Sequence, residues 1–254
     1  MRTGAIAAVM GMGIGMLVQT GGAMSAEIAI VSTTSLKATL DKLGPGFERA
    51  SGHTLKVTYG TSAPLRRQID AGAAFDLAIL VPATLDALVK DGKIVADTRT
   101  DIARSAIGVA IKAGAAKPDV ESAEGLKRTL QAAKSISYSG EGASGKHFTS
   151  LLDRMGIAAQ IKPRLVPLPS GEAVAPVARG EVEMAVITLA NIVGVSGVEI
   201  AGVLPRDMQH YTVYTAGVAT AAKNANGARA LLALIMAPET TPVIEAEGME
   251  RVGR

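Results

Sequence analysis

The chain contains no cysteine and no tryptophan, only three histidines, and aromatic residues make up 3% of it. Without cysteine there is no thiol nucleophile, no thiolate metal site and no disulfide framework, so a hydrophobic core must hold the fold. Scarce aromatics exclude the stacking platforms that grip sugars, bases or single-stranded nucleic acid. His53, His147 and His210 stand too far apart for a metal-ligand spacing. No run of Lys and Arg accompanies the net charge of +3, so no electrostatic stripe for nucleic acid is expected. There is no Gly-x-Ser-x-Gly elbow and no Glu-x-x-His signature, and hydrolase chemistry has no support.

Apolar side chains are plentiful. Hydrophobic residues make up 48% of the 254 positions and charged residues 19%, which excludes a disordered chain and allows one large domain or two compact lobes. The N-terminus reads as a secretory signal over residues 1–26. Arg2 supplies a positive start, Ala5 to Val18 is apolar, and Gly21 to Ala26 are mostly small residues ending at a cleavage point after Ala26 or after Ala23. No Cys follows, so a lipid anchor is not indicated, and no later stretch reaches the roughly 18 apolar residues of a membrane span.

From Glu27 onward strand-like and helix-like segments alternate. Strands are predicted at 28–31, 55–59, 77–81, 107–111, 135–139, 165–168, 184–188, 200–203 and 211–220. Helices are predicted at 35–50, 64–71, 83–90, 121–133, 145–155, 172–179, 225–236 and 241–247. Leu36, Leu40, Leu43 and Phe47 share one helical face. The βαβα order predicts an α/β fold with mostly parallel sheets covered on both faces, binding ligands where strands lead into helix N-termini.

Four such junctions carry hydroxyls and glycines: Ser32 to Ser35, Gly60 to Ala63, Gly140 to Gly145, and Pro169 to Gly171. Each offers unpaired backbone N–H groups and a side-chain O–H, the donors an anion needs. Any one of them alone reads as an ordinary N-cap. Four at equivalent positions of an α/β sheet point to a small anion. Gly140-x-Gly142-x-x-Gly145 also fits a dinucleotide fingerprint, but about 20 residues on the chain reads Lys162-Pro163-Arg164, not an acidic residue. The P-loop alternative fails at His147, where Ser or Thr should follow Lys146. Glycines that let amides approach an anion explain both matches.

These residues resemble a known family. Val31-Ser32-Thr33-Thr34-Ser35-Leu36, Tyr59-Gly60-Thr61-Ser62, Leu65-Arg66-Arg67-Gln68-Ile69-Asp70-Ala71-Gly72-Ala73 and Phe75-Asp76-Leu77-Ala78-Ile79 are similar to the periplasmic molybdate-binding proteins of ABC transporters. The resemblance implies a type II periplasmic-binding fold, two Rossmann-like lobes joined by crossing strands near Ser105–Ile111 and Tyr211–Thr220. It divides the mature chain into 27–106 plus 212–254 and 107–211. It further implies a periplasmic monomer without cofactor or metal, clamping a small anion for an ABC permease. Ser35, Ser62, Ser144 with Gly145, and a backbone amide near Ser170 match the family's ligand positions, and Thr34 and Thr61 beside the two serines are expected to bind ligand with them. Thr188 stands where the family often has a ligand-binding tyrosine. With Lys146 and Arg66 expected at the cleft mouth, that departure makes a larger organic anion, a small carboxylate, the alternative to a metallate. An exported trans-aconitate isomerase looks like the same family, so an isomerase using the same cleft is the alternative activity, with His147, Lys37 or Tyr138 as candidate bases.

Overall fold

The computed structural model describes residues 26–252; the predicted signal segment, apart from Ala26, lies outside them. β1 (Glu27–Thr33) passes through a 3-10 turn, Thr34–Leu36, into α1 (Lys37–Ser51), followed by β2 (Thr54–Gly60), α2 (Ser62–Asp70), β3 (Leu77–Leu80), α3 (Pro82–Lys90) and β4 (Thr100–Lys112). The middle of the chain carries α4 (Ala123–Ala132), β5 (Ile136–Ser139), α5 (Ala143–Arg154), α6 (Ala158–Ile161), β6 (Leu165–Leu168), α7 (Ala175–Arg179), β7 (Met184–Thr188) and β8 (Val198–Val203). β9 (Tyr211–Val218), α8 (Ala225–Met236), α9 (Thr241–Ala246) and β10 (Glu250–Arg251) complete it. The helix predicted over 172–179 is instead a 3-10 turn, Ser170–Glu172, and the short α7, because Pro176 can sit only in a helix's first turn.

The strands lie in the order β2-β1-β3-β9-β4-β7-β5-β6, with β8 and β10 also pairing with β4. β1 pairs in parallel with β2 and β3, and β5 with β6 and β7. The centre corrects the expected parallel sheet: β9 runs antiparallel to β3 and β4, and β4 antiparallel to β7. β9 returns directly from the middle of the chain, without the helical crossover that a parallel neighbour needs. β4 is long enough to serve both ends of the sheet. It pairs with β9 up to Ala106 and with β7 from Ile107.

Alternation along the strands builds a core on each face. Ile28, Ile30, Leu77 and Ile79 pack with Leu36, Leu40 and Phe47 of the first helical stretch, while Val31, Ala78 and Leu80 face Leu65, Leu85 and Leu88. In the second half Ile107, Val109 and Val186 pack against Phe148 and Leu151, and Ala110, Ala185 and Ile187 against Val174 and Val177. Each fully buried side chain of this size contributes about 1.5–3 kcal/mol. Asp76 is 3% exposed and accepts from the Ala29 and Asn224 N–H groups, so this carboxylate stitches β1 to the start of α8. No helix among the described residues is long and apolar enough to cross a membrane.

Candidate anion-binding cleft

A cavity of about 250 Å³ lies between the two halves of the sheet. The 3-10 turn before α1 and the starts of α2 and α3 wall it on one side, the start of α5 and the Ser170 turn on the other, and Thr212 and Tyr214 of β9 at the crossing strand. Thr34, Ser35, Thr61, Ser62, Ser144, Ser170, Thr188 and Lys146 all line it. The two halves touch beside it: a Cβ on Gly171 would lie 2.8 Å from Thr34 Cγ2.

Side-chain caps stand at two helix starts among the described residues, neither of them at the cavity. Ser122 and Asn224 cap α4 and α8 by accepting from the Gly125 and Gly227 N–H groups. At the cavity neither α2, α5 nor the 3-10 turns at Thr34 and Ser170 have a side-chain cap. Their hydroxyls therefore do not act as caps, and the first-turn N–H groups are left to face the cavity with the positive ends of α2 and α5.

The hydroxyls are also oriented. Ser62 is 5% exposed, and its Oγ accepts from the Val81 N–H at 3.1 Å. Asn191 Nδ2 donates to Ser35 Oγ at 2.8 Å and to Thr188 Oγ1 at 2.7 Å, joining the first half to the second. Ser170 and Ser139 share a hydrogen bond of 2.5 Å between their hydroxyls. Burial pushes the Tyr214 phenol's pKa up, partly opposed by the neighbouring Ser35 and Thr188 hydroxyls, yet the Tyr214 oxygen makes no hydrogen bond of good geometry.

Glycines let α5 come this close. A Cβ on Gly145 would run into the Ser139 carbonyl oxygen, and one on Gly142 into the Ser139 hydroxyl. Gly145 itself is not among the lining residues. Arg66 lies outside the lining residues, in ion pairs with Asp70 and Asp91; these raise its pKa, the Asp70 hydrogen bond most. The mouth carries Glu141, paired with Arg67 at 3.1 Å across the two halves.

The three candidate bases sit elsewhere. His147 bonds the Met208 carbonyl oxygen through Nε2 at 2.8 Å and stacks on His210, with ring centroids 4.9 Å apart. Lys37 pairs with Asp41 at 2.5 Å and lies over the Tyr59 ring; burial and the Asp41 charge push the Tyr59 pKa up to about 12. Tyr138 packs edge-on against Phe148. Sequence reasoning missed Asn191, Tyr214, Thr212 and the start of α3. The available signals were Asn191 three residues after Thr188, and the alternation that puts Thr212 and Tyr214 on one face of β9.

The family model for bacterial extracellular solute-binding proteins matches residues 28–250. The chain belongs to that family. This solute-binding protein is 28% identical to an aconitate isomerase of Pseudomonas sp. over 231 residues, 89% of this chain and 88% of that one. It is 26% identical to the molybdate-binding protein ModA of Azotobacter vinelandii over 250 residues, 94% and 95% of the two chains. The solved periplasmic molybdate-binding protein of Azotobacter vinelandii superposes with a TM-score of 0.75 at 21% identity, covering 87% of this chain and 98% of that one. The architecture is therefore the type II periplasmic-binding fold, with the cavity between its lobes.

Proposed function

We propose that this solute-binding protein is the exported component of an ABC importer and clamps a small anion between lobes formed by residues 27–106 plus 212–254 and by 107–211. The change of partner along β4 at Ala106 and Ile107 supports that division. The observation that carries the anion reading is the convergence on one cavity of the uncapped starts of α2, α3 and α5 with the hydroxyls of Ser35, Ser62 and Ser144. A hydrogen bond to a charged group is worth about 1.5–3 kcal/mol, so four or five reach the ~8 kcal/mol of a micromolar complex without a buried cation. The resemblance supports a metallate or similar oxyanion, and Thr188 in place of tyrosine leaves room for a small carboxylate. Of the candidate bases His147, Lys37 and Tyr138 none lines the cavity, where the titratable side chains are Glu141, Lys146 and Tyr214; binding and release is the reading proposed. After loss of the signal segment the protein would work in the periplasm as a monomer, delivering ligand to a permease.

Calorimetry with molybdate, sulfate and di- and tricarboxylates tests the assignment. Ser35→Ala and Ser62→Ala should each weaken binding of the preferred anion by about 1.5–3 kcal/mol, roughly 10- to 150-fold, with melting temperature little changed. Unchanged affinity in both variants would refute the cleft.

A further inference from the structure

Three hydroxyls that line the cavity are buried and lack a hydrogen bond of good geometry: Thr33 at the end of β1, and Thr212 and Tyr214 on β9, exposed by 6%, 5% and 1%. A hydroxyl donates one proton and accepts through its lone pairs, and one left unpaired in the interior costs about 1–3 kcal/mol. An oxyanion without a proton can take the three protons but offers nothing to the three oxygens. A ligand hydroxyl gives and takes. Lys146 lines the same cavity and forms no ion pair among the described residues, whereas Glu141 at the mouth is already held by Arg67. The volume of about 250 Å³ also exceeds the need of a single oxyanion. At about 30 Å³ per water it holds about eight water-sized groups, and the oxygens of a tetrahedral oxyanion fill half of that space.

We propose that the cleft takes a hydroxydicarboxylate, an organic dianion with a hydroxyl of its own. One carboxylate sits at the uncapped starts of α2 and α5, beside the Ser35, Ser62 and Ser144 hydroxyls. The ligand hydroxyl meets Thr33, Thr212 and Tyr214, donating to one and accepting from another, and the second carboxylate pairs with Lys146. The unpaired hydroxyls, the unpaired Lys146 and the spare volume are three separate observations, and one molecule answers all of them. Thr33 belongs to the first lobe and Lys146 to the second, so such a ligand is held by both and by the strand that crosses between them. The inference rests on the proposed anion cleft and deepens it by naming the ligand class.

The test is calorimetry at pH 8 with the sodium salts of malate, succinate and molybdate in an otherwise oxyanion-free buffer. Malate and succinate differ by one hydroxyl. The wild type should bind one malate enantiomer at least tenfold more tightly than succinate, and more tightly than molybdate. Tyr214→Phe or Thr212→Val should bring the malate-to-succinate ratio below threefold. Lys146→Gln should weaken both dicarboxylates at least fivefold more than it weakens molybdate; melting curves establish that each variant is folded. Malate unbound or no tighter than succinate, a ratio that survives both hydroxyl deletions, or dicarboxylates indifferent to Lys146→Gln overturns the proposal. Molybdate or succinate binding that Ser62→Ala still weakens would then leave the cleft reading standing, and indifference to Ser62→Ala with every anion would remove that reading as well.

Discussion

His210 stacks on His147 just before the chain enters β9, and its pKa is held below the ordinary value, first by desolvation and then by the His147 charge. In the unfolded chain the group returns to about 6.5. Between the two values the unfolded state holds more protons, so stability rises with pH across that window and falls as the solution is acidified. An imidazole titration should place the His210 midpoint below 6.5, and His210→Asn should lose less melting temperature than wild type between pH 7.5 and 5.5. A midpoint at or above 6.5 would contradict this. Ser35, Ser62 and Ser144 were legible in the sequence because a hydroxyl at a strand-to-helix junction has a local signature. Asn191 was not, because its partner Ser35 lies 156 positions away and only the fold joins them. Tyr214, on a buried strand, reads as core in any pattern of hydropathy, and its 1% exposure makes it core as well as cleft.

At the level of elements, α5 depends on the absence of two side chains. Gly145→Ala forces its Cβ against the Ser139 carbonyl oxygen, backbone that cannot swing away. The helix start must then retreat from β5, taking the Ser144 donors with it. Stability should drop by about 1–3 kcal/mol in denaturant titrations, with a parallel loss of anion affinity. Gly46→Ala, with open space at its Cβ position, is the control and should be silent in binding. β6, β7 and α8 coincide with their predicted spans because each is a continuous or helically periodic apolar stretch. The first half of β4 was invisible for the converse reason. Asp101 pairs with Arg99 and accepts from Thr215, Arg104 pairs with Glu250, and Ser105 donates to the Gly248 carbonyl. Polar residues satisfied by cross-strand and C-terminal partners give no hydrophobic signal, although Ile102 and Ala103 between them are fully buried.

For the molecule as a whole, the Arg67–Glu141 pair bridges the cleft mouth between exposed side chains. Such pairs are worth about 0–1 kcal/mol. Arg67→Ala should therefore change anion affinity by less than about fivefold. The change should appear in the dissociation rate and fade at high salt, where stopped-flow would show the two proteins alike. A loss of a hundredfold would mean that Arg67 touches the ligand. The two-lobed architecture was legible through the family resemblance and the alternation of elements; the antiparallel seam was not, since pairing across it depends on where a distant strand returns. That seam has a temporal consequence. Leu77 of β3 finds its partner in Val218, which a ribosome adds only after all of the second lobe. Until then β3 has an open edge on that side, and pairing so distant in sequence is slow to form. A chain whose first lobe is finished last stays threadable through most of its synthesis, a useful property for the export proposed above.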